Sequence, residues 1–306
     1  MCRLLNYYRI DSLKEKFSNY LELTKPRISM LVLVTAYLGY YLGIRSQGNH
    51  MVSLDSWLVL FYLLIGTWAT SASAAILNQV MEIKHDAKMN RTKNRPLVKG
   101  LIKNKDALIF GMFLGFFGLV FLLIFVNLLT MLISFATILL YLFIYTPSKR
   151  ISTWNTIIGS VPGALPPVGG WVAATGNLEA PAWILFGILF CWQMPHFLAI
   201  AIIYSSDYEK GGFKMLPTIY PESKRTSHVI LFFTIALLVT SLGLYILKIA
   251  GMFYAIGAAF IGMIFFAIAL QVSINSNKKN ARRLMLASII YLPLLLMLIL
   301  IERIIS

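Results

Sequence analysis

Asn78, Glu82, Asp86 and Asn90 recur every four residues in the stretch NQVMEIKHDAKMNRTKNRPL, and Arg91, Lys93 and Arg95 follow at once. Residues four apart lie on one face of a helix, about one turn from each other. A helix running to about residue 90 would turn this set into a column of oxygen atoms. Two carboxylates with amide carbonyls suit a hard cation such as Mg2+, which takes oxygen ligands and keeps positions open for phosphate. Arginine grips phosphate oxygens through paired N–H groups. Acids for a metal, followed by arginines, fit a diphosphate. A solvated connecting loop is the plainer alternative.

Three further stretches carry polar groups. YSSDYEKGGFKMLPTIYPESKR offers Asp207 and Glu209, then Gly211 and Gly212, Lys214 and Pro217. Its paired glycines permit a close backbone approach or a positive φ. YTPSKRISTWNTIIGSVPGALPPVGGW holds Lys149 and Arg150, most simply topology anchors, and Asn155 inside a would-be span, where a polar group needs a partner. Its Pro162, Pro166 and Pro167, with Gly159, Gly163, Gly169 and Gly170, would either leave room for a substrate or form a small-residue helix interface. CWQMPHFLAI places Trp192, Gln193 and His196 together. Such a histidine is either hydrogen-bonded packing or an axial ligand for haem iron, with Met194 and Phe197 beside a flat pocket. His85 is the second histidine within reach of the acids, whereas His50 and His228 look peripheral.

The elements that must position these residues are helices in a bilayer. The chain is 58% hydrophobic and 13% charged. Its apolar runs approach the roughly 20 residues that cross a hydrocarbon core, and a helix satisfies its backbone internally there. Nine spans are predicted near 28–44, 57–77, 106–126, 130–146, 154–174, 182–203, 228–247, 250–273 and 284–301. The fifth, broken by three prolines, reads as a distorted helix or a re-entrant element. With the N-terminus placed in the cytoplasm, 24 Lys and Arg fall on the inner side and three (Arg45, Lys248 and Arg303) on the outer. That asymmetry is the positive-inside pattern and predicts an N-in, C-out topology.

Topology thereby accounts for most of the net charge of +15, which in a soluble chain would suggest nucleic acid. No nucleic-acid motif accompanies it. Cys2 and Cys191 form neither a CxxC nor a disulfide framework. Residues 1–27 lack the apolar core of a signal peptide and read as an interfacial lead-in to a single membrane domain over 28–303. No serine or cysteine sits in a convincing triad, so the chemistry falls to the helices and their connections.

These stretches together resemble the UbiA-type membrane prenyltransferases, in their haem-directed branch. The resemblance rests on LTKPRIS, the run NQVMEIKHDAKMNRTKNRPL, PGALPPVGGW, WQMPHF and DYEKGGFKMLP, and covers nearly the whole chain. It implies an all-α fold of nine transmembrane helices around a central cavity open toward the lipid, with two acidic loops over its cytoplasmic mouth. It further implies transfer of the farnesyl group of farnesyl diphosphate to a vinyl group of protohaem IX, with addition of water and release of diphosphate. Asn78, Glu82 and Asp86 match the first Mg2+–diphosphate motif and Asp207 the second, all four as metal-binding and catalytic residues. Arg91, Arg95, Lys149 and Arg150 become diphosphate-binding candidates, while His196, His85 and Trp192 are candidates for binding the haem substrate. Glu82, and the Glu209 and Gly211 that follow Asp207, depart from the superfamily's aspartates in the way the haem-directed branch does, and leave the number of Mg2+ ions open. A bacterial cell membrane is the expected location, with haem A synthase or a terminal oxidase assembly as prospective partners. The alternatives are a prenyltransferase for a quinone precursor and, outside enzymes, a transporter of an anionic lipid suggested by a weak internal repeat.

Overall fold

The computed structural model describes residues 14–48, 53–221 and 224–305. Readings that fall on Cys2, His50 and the first 13 residues lie outside them. Among the described residues there is no strand, and nine helices are long and apolar enough to cross a membrane. They are α1 (Pro26–Ser46), α2 (Leu54–Asp86), α3 (Asn104–Phe125), α4 (Leu128–Ile151), α5 (Asn155–Thr175), α6 (Ala180–Ile203), α7 (Arg225–Ile246), α8 (Met252–Ile274) and α9 (Lys278–Ile305). Residues 14–23 form a short lead-in helix before α1.

Phe116, Phe143, Phe232 and Ile256 stand exposed on the outer surface, as side chains bathed in hydrocarbon would. Between helices, small residues set the distance. Gly111, Gly115 and Gly118 of α3 back onto Leu77, Ser73 and Thr70 of α2. Gly39 of α1 and Gly170 of α5 meet the partner helix's backbone, where a Cβ on either would collide with a carbonyl. Close backbone approach of this kind drives association where lipid tails offer no hydrophobic force. α6, α7, α8 and α9 pack as a second group, and a cavity opens between the two.

Two helices are irregular, for different reasons. α5 is the distorted full span rather than a re-entrant piece. It breaks at Leu165, between Asn155–Ala164 and Pro166–Thr175, because Pro166 has no N–H to give the preceding turn. In α4 a π-helical stretch, Leu140–Tyr145, inserts between Leu128–Leu139 and Thr146–Ile151.

At the end of the bundle away from the polar loops, Glu302 is buried and accepts the N–H groups of Gly251 (2.6 Å) and Tyr254 (3.1 Å). It satisfies the free donors at the start of α8, where the helix dipole also favours a negative charge.

Candidate active site

α2 has 33 residues, which at 1.5 Å each is about 50 Å and well beyond a hydrocarbon core of about 30 Å. Part of it must therefore overhang such a core, and its last turns are the polar part, carrying Asn78, Glu82 and Asp86, all buried. The helix stops at Asp86, four residues short of the predicted end. Asn90 consequently leaves the column; it is exposed, and its carbonyl accepts only Lys93 Nζ at 3.1 Å.

Each member of the column has a fixed partner. The Thr146 hydroxyl donates to Tyr141 O (2.8 Å), so it must accept from Asn78 Nδ2 (3.0 Å). That assigns the Asn78 amide, leaving Oδ1 toward Lys25 Nζ at 3.4 Å. Lys149 Nζ lies 2.9 and 3.1 Å from the two Glu82 oxygens. Asp86 pairs with Arg95 Nη1. Asp207 is buried on a short helix (Ser205–Lys210) after α6, and its Oδ2 accepts the backbone N–H of Arg91 at 3.3 Å. The loop after α2 thus reaches both acids, Arg95 engaging one and residue 91 the other.

The second loop is built around its glycines. Gly212 takes φ 72°, while Gly211 packs so closely that a Cβ would lie 3.0 Å from the Met89 sulfur. His85 Nδ1 is 2.7 Å from Gly211 O, and its ring packs on Phe213. His85 joins the two loops and is not among the residues lining the cavity. Asn155 donates to Lys214 O (2.8 Å) and Ser152 O (2.6 Å), so this polar group inside a span clamps the second loop onto the start of α5. Arg91 lies over the Tyr208 ring, 4.7 Å from its centre. Arg150 and Glu209 are exposed, and no contact ties either to the acids.

Lys25 belongs to this site; it lies in the LTKPRIS stretch that carries part of the resemblance, but topology already explains its charge and so conceals its role. Its backbone is left-handed (φ 49°, ψ 63°), rare for a side chain other than Gly, Asn or Asp and further opposed by the following Pro26. The conformation is held from both sides: Gln79 Nε2 donates to Leu23 O (2.8 Å), and Ser29 Oγ donates to Thr24 O (2.8 Å). Part of the residue reaches the surface, but its amine lies inside. Burial, then the nearby Arg95 and Lys149 charges, lowers its pKa to about 7. Three basic groups, Lys25, Arg95 and Lys149, converge here on two acids already paired, Glu82 and Asp86, so the mouth lacks a further anion. We expect Lys25→Met to raise the Kd for a prenyl diphosphate at least about tenfold, the worth of one hydrogen bond to a charged group. Titration with a non-hydrolysable analogue measures it, and an unchanged Kd would remove Lys25 from the site.

Below the acids lies a cavity of about 530 Å³, reaching from Lys25 through Tyr145 to His196, Gln193 and Gly169. Three of its hydroxyl groups turn back on their own helices: Thr70 to Gly66 O, Thr137 to Ile133 O and Thr35 to Val32 O. Those stretches of the wall therefore behave as apolar surface. On one wall, His196 stacks on Trp192 with ring centres 5.0 Å apart, and Trp192 Nε1 donates to Ser288 O (2.7 Å). The Ser288 hydroxyl donates to Met285 O (2.6 Å), so the neutral His196 ring must give its Nδ1 proton to Ser288 Oγ (2.7 Å). Nε2 is then left as a bare lone pair.

Among the described residues no three His, Cys, Asp or Glu converge as a self-sufficient metal cage. Asn78, Glu82, Asp86 and Asp207 each offer oxygen alone, the donor type that a hard cation takes while completing its shell with water and phosphate.

The sequence pattern of the UbiA prenyltransferase family matches residues 32–290. A protoheme IX farnesyltransferase from Solibacter usitatus is 40% identical over 287 residues, covering 93% of this chain and 98% of its own. One from Opitutus terrae is 40% identical over 94% of this chain and 95% of its own. Among solved structures, a study of digeranylgeranylglyceryl phosphate synthase superposes with TM-score 0.78 at 23% identity, covering 95% of this chain and all of that one. A UbiA homologue from Archaeoglobus fulgidus bound to GPP and Mg2+ gives 0.61 at 16%, covering 92% and 99%. Acids at the end of α2, a second acid after α6 and an apolar cavity beneath them are the parts such an enzyme needs, and the chain belongs to the UbiA prenyltransferase family.

Proposed function

We propose that this protein transfers the farnesyl group of farnesyl diphosphate to a vinyl group of protohaem IX, with addition of water, giving haem O and diphosphate. The carrying observation is a cavity with a polar, cation-rich mouth at one end and a histidine with a free ring nitrogen on its wall. The haem-directed names of the relatives support it, as do GPP and Mg2+ in a structural neighbour.

In this reading the diphosphate sits at the mouth among Lys25, Arg91, Arg95 and Lys149, with the farnesyl tail below. Mg2+, when bound by Asn78, Glu82, Asp86 and Asp207, supplies Lewis-acid neutralisation of the leaving group. The C1–O bond breaks and its electron pair leaves with the diphosphate. The basic side chains stabilise the charge growing there, preorganised in a low-dielectric site. The vinyl terminal carbon forms the new bond to C1, leaving positive charge on the carbon next to the macrocycle. Water adds at that carbon, and its proton departs with the diphosphate. Tyr141 and Tyr145 flank the neck and keep bulk water from the allylic cation. The acidic end faces the cytoplasm, as the basic loops favour, in a bacterial cell membrane. The lead-in helix, with Phe17 exposed, lies on that surface. The product suits hand-over to a haem A synthase or a terminal oxidase assembly.

The test is to supply the purified protein with protohaem, farnesyl diphosphate and Mg2+ and to weigh the extracted pigment. A haem heavier by one farnesyl group and one hydroxyl group is expected; unaltered haem overturns the reading. His196 Nε2 is assigned to the haem iron, with Trp192 stacked behind it. His196→Ala should abolish the Soret shift seen on adding protohaem. Ser288→Ala, which frees the ring, should weaken haem binding by about 10–100-fold, as loss of a supporting hydrogen bond does at other metal-bound histidines. Unchanged spectra in both variants would place the iron elsewhere.

A further inference from the structure

Two neighbouring glycines on α5 differ in what surrounds them. At Gly170 a Cβ would run into the Ala36 carbonyl and lie 2.8 Å from Tyr40 N, so its missing side chain is required by packing. Gly159 and Gly163 are similarly confined, against the Tyr145 ring and the Gln193 side chain. Gly169 is buried, yet a Cβ there would meet a single neighbour within 4 Å, the Ile133 Cγ2 at an ordinary 3.7 Å. Packing does not explain its lack of a side chain. Gly169 and Ile133 both line the cavity, at the end away from Lys25. Beyond them the bundle closes, since Thr130 and Val172 are completely buried and Asn127 Nδ2 donates to Val172 O at 3.1 Å.

We propose that Gly169 forms the floor of the prenyl site and, with Ile133, sets the length of isoprenoid tail accepted. This rests on the reading of the cavity as a prenyl diphosphate site. The dimensions agree. Along α2 the cavity wall runs from Ala75 to Thr67, eight residues or about 12 Å at 1.5 Å per residue, and Asn78 stands nearly one turn beyond it, about 16 Å from Thr67. The twelve-carbon backbone of a stretched farnesyl chain spans about 14 Å from carbon–carbon bonds of about 1.5 Å. A leucine side chain brings four carbons, close to the five of one isoprene unit. Placed at 169 it can extend only into the cavity, where it occupies the space of the terminal unit.

The test compares the C10, C15 and C20 diphosphates with protohaem as acceptor. Gly169→Leu should lower kcat/KM for the C15 substrate at least about tenfold relative to C10, the discrimination a few carbons in an apolar pocket provide. Ile133→Ala should shift preference the other way, raising the C20 rate relative to C15. Equal losses at every length, or no change in the ratios, would overturn the floor assignment while the native enzyme still makes its product. Failure of the native enzyme with every length would instead sink the prenyl-site reading itself. A protein that elutes from detergent gel filtration as wild type, together with the opposite shift in Ile133→Ala, separates a shortened tail site from a damaged fold.

Discussion

Asp86→Asn is expected to lower farnesyl transfer by at least about a thousandfold, with the protein still folded in the membrane. Asparagine has the same shape, so the end of α2 is undisturbed. What disappears is the charge that meets a cation at the mouth, and losses of about 10²–10³ follow removal of one preorganised group from a site of developing charge. Adding the lost metal contact extends that range. Breaking a fully buried ion pair costs about 3–5 kcal/mol, but Arg95 keeps 25% of its side chain exposed and can turn to water. Stability should therefore fall by far less. Asp207→Asn should behave alike and more mildly, because its carboxylate is partnered by a backbone N–H rather than by a charged side chain. Product quantified by mass spectrometry, beside the amount of monodisperse protein, checks both. Wild-type turnover in either variant would sink the assignment of that acid to the leaving group.

Gly170→Leu should have the largest effect on the fold itself. Its neighbours are the backbone of α1, at Ala36 and Tyr40, and a helix backbone cannot give way as a flexible side chain can. Overpacking of a yielding core costs about 1–3 kcal/mol; here the two helices must separate, and the cost should lie at or above the top of that range. Gly39→Leu strikes the same seam from the other side, at the Pro167 carbonyl. Thermal unfolding in detergent should show a lowered midpoint for both, with little folded protein recovered. Lys25 stands at the start of α1, so any surviving protein should also bind diphosphate poorly. A midpoint within a degree of wild type would mean that the seam is not as tight as its backbone contacts indicate.

The nine spans were legible because hydropathy and the placement of lysine and arginine are independent signals that agree. The Asn78, Glu82 and Asp86 column was legible from spacing alone, since a helix repeats nearly every four residues. Where the helix ends is not, because the four-residue spacing continues the face one turn past Asp86, to Asn90. Lys25 was hidden by its own plausibility: a lysine beside a membrane span needs no further explanation until its backbone and its neighbours are seen. His85 and His196 looked equivalent as residues, yet one joins two loops and the other faces the cavity. Gly169 and Gly170 are adjacent letters of one kind, and only the atoms around them distinguish empty space from contact.

The π-helical stretch Leu140–Tyr145 has a rotational consequence. Each residue of an α-helix advances the side chains by about 100°, so one added residue in a turn resets the phase of everything after it. Such insertions recur at functional sites. Without this one, Thr146 and Lys149 would point about a quarter-turn away from Asn78 and Glu82, while the first half of α4 kept its packing against α3 and α5. The wider turn joins two helical phases in one span. The half of α4 before it is aligned to close the bundle, and the half after it is aligned to meet the acids.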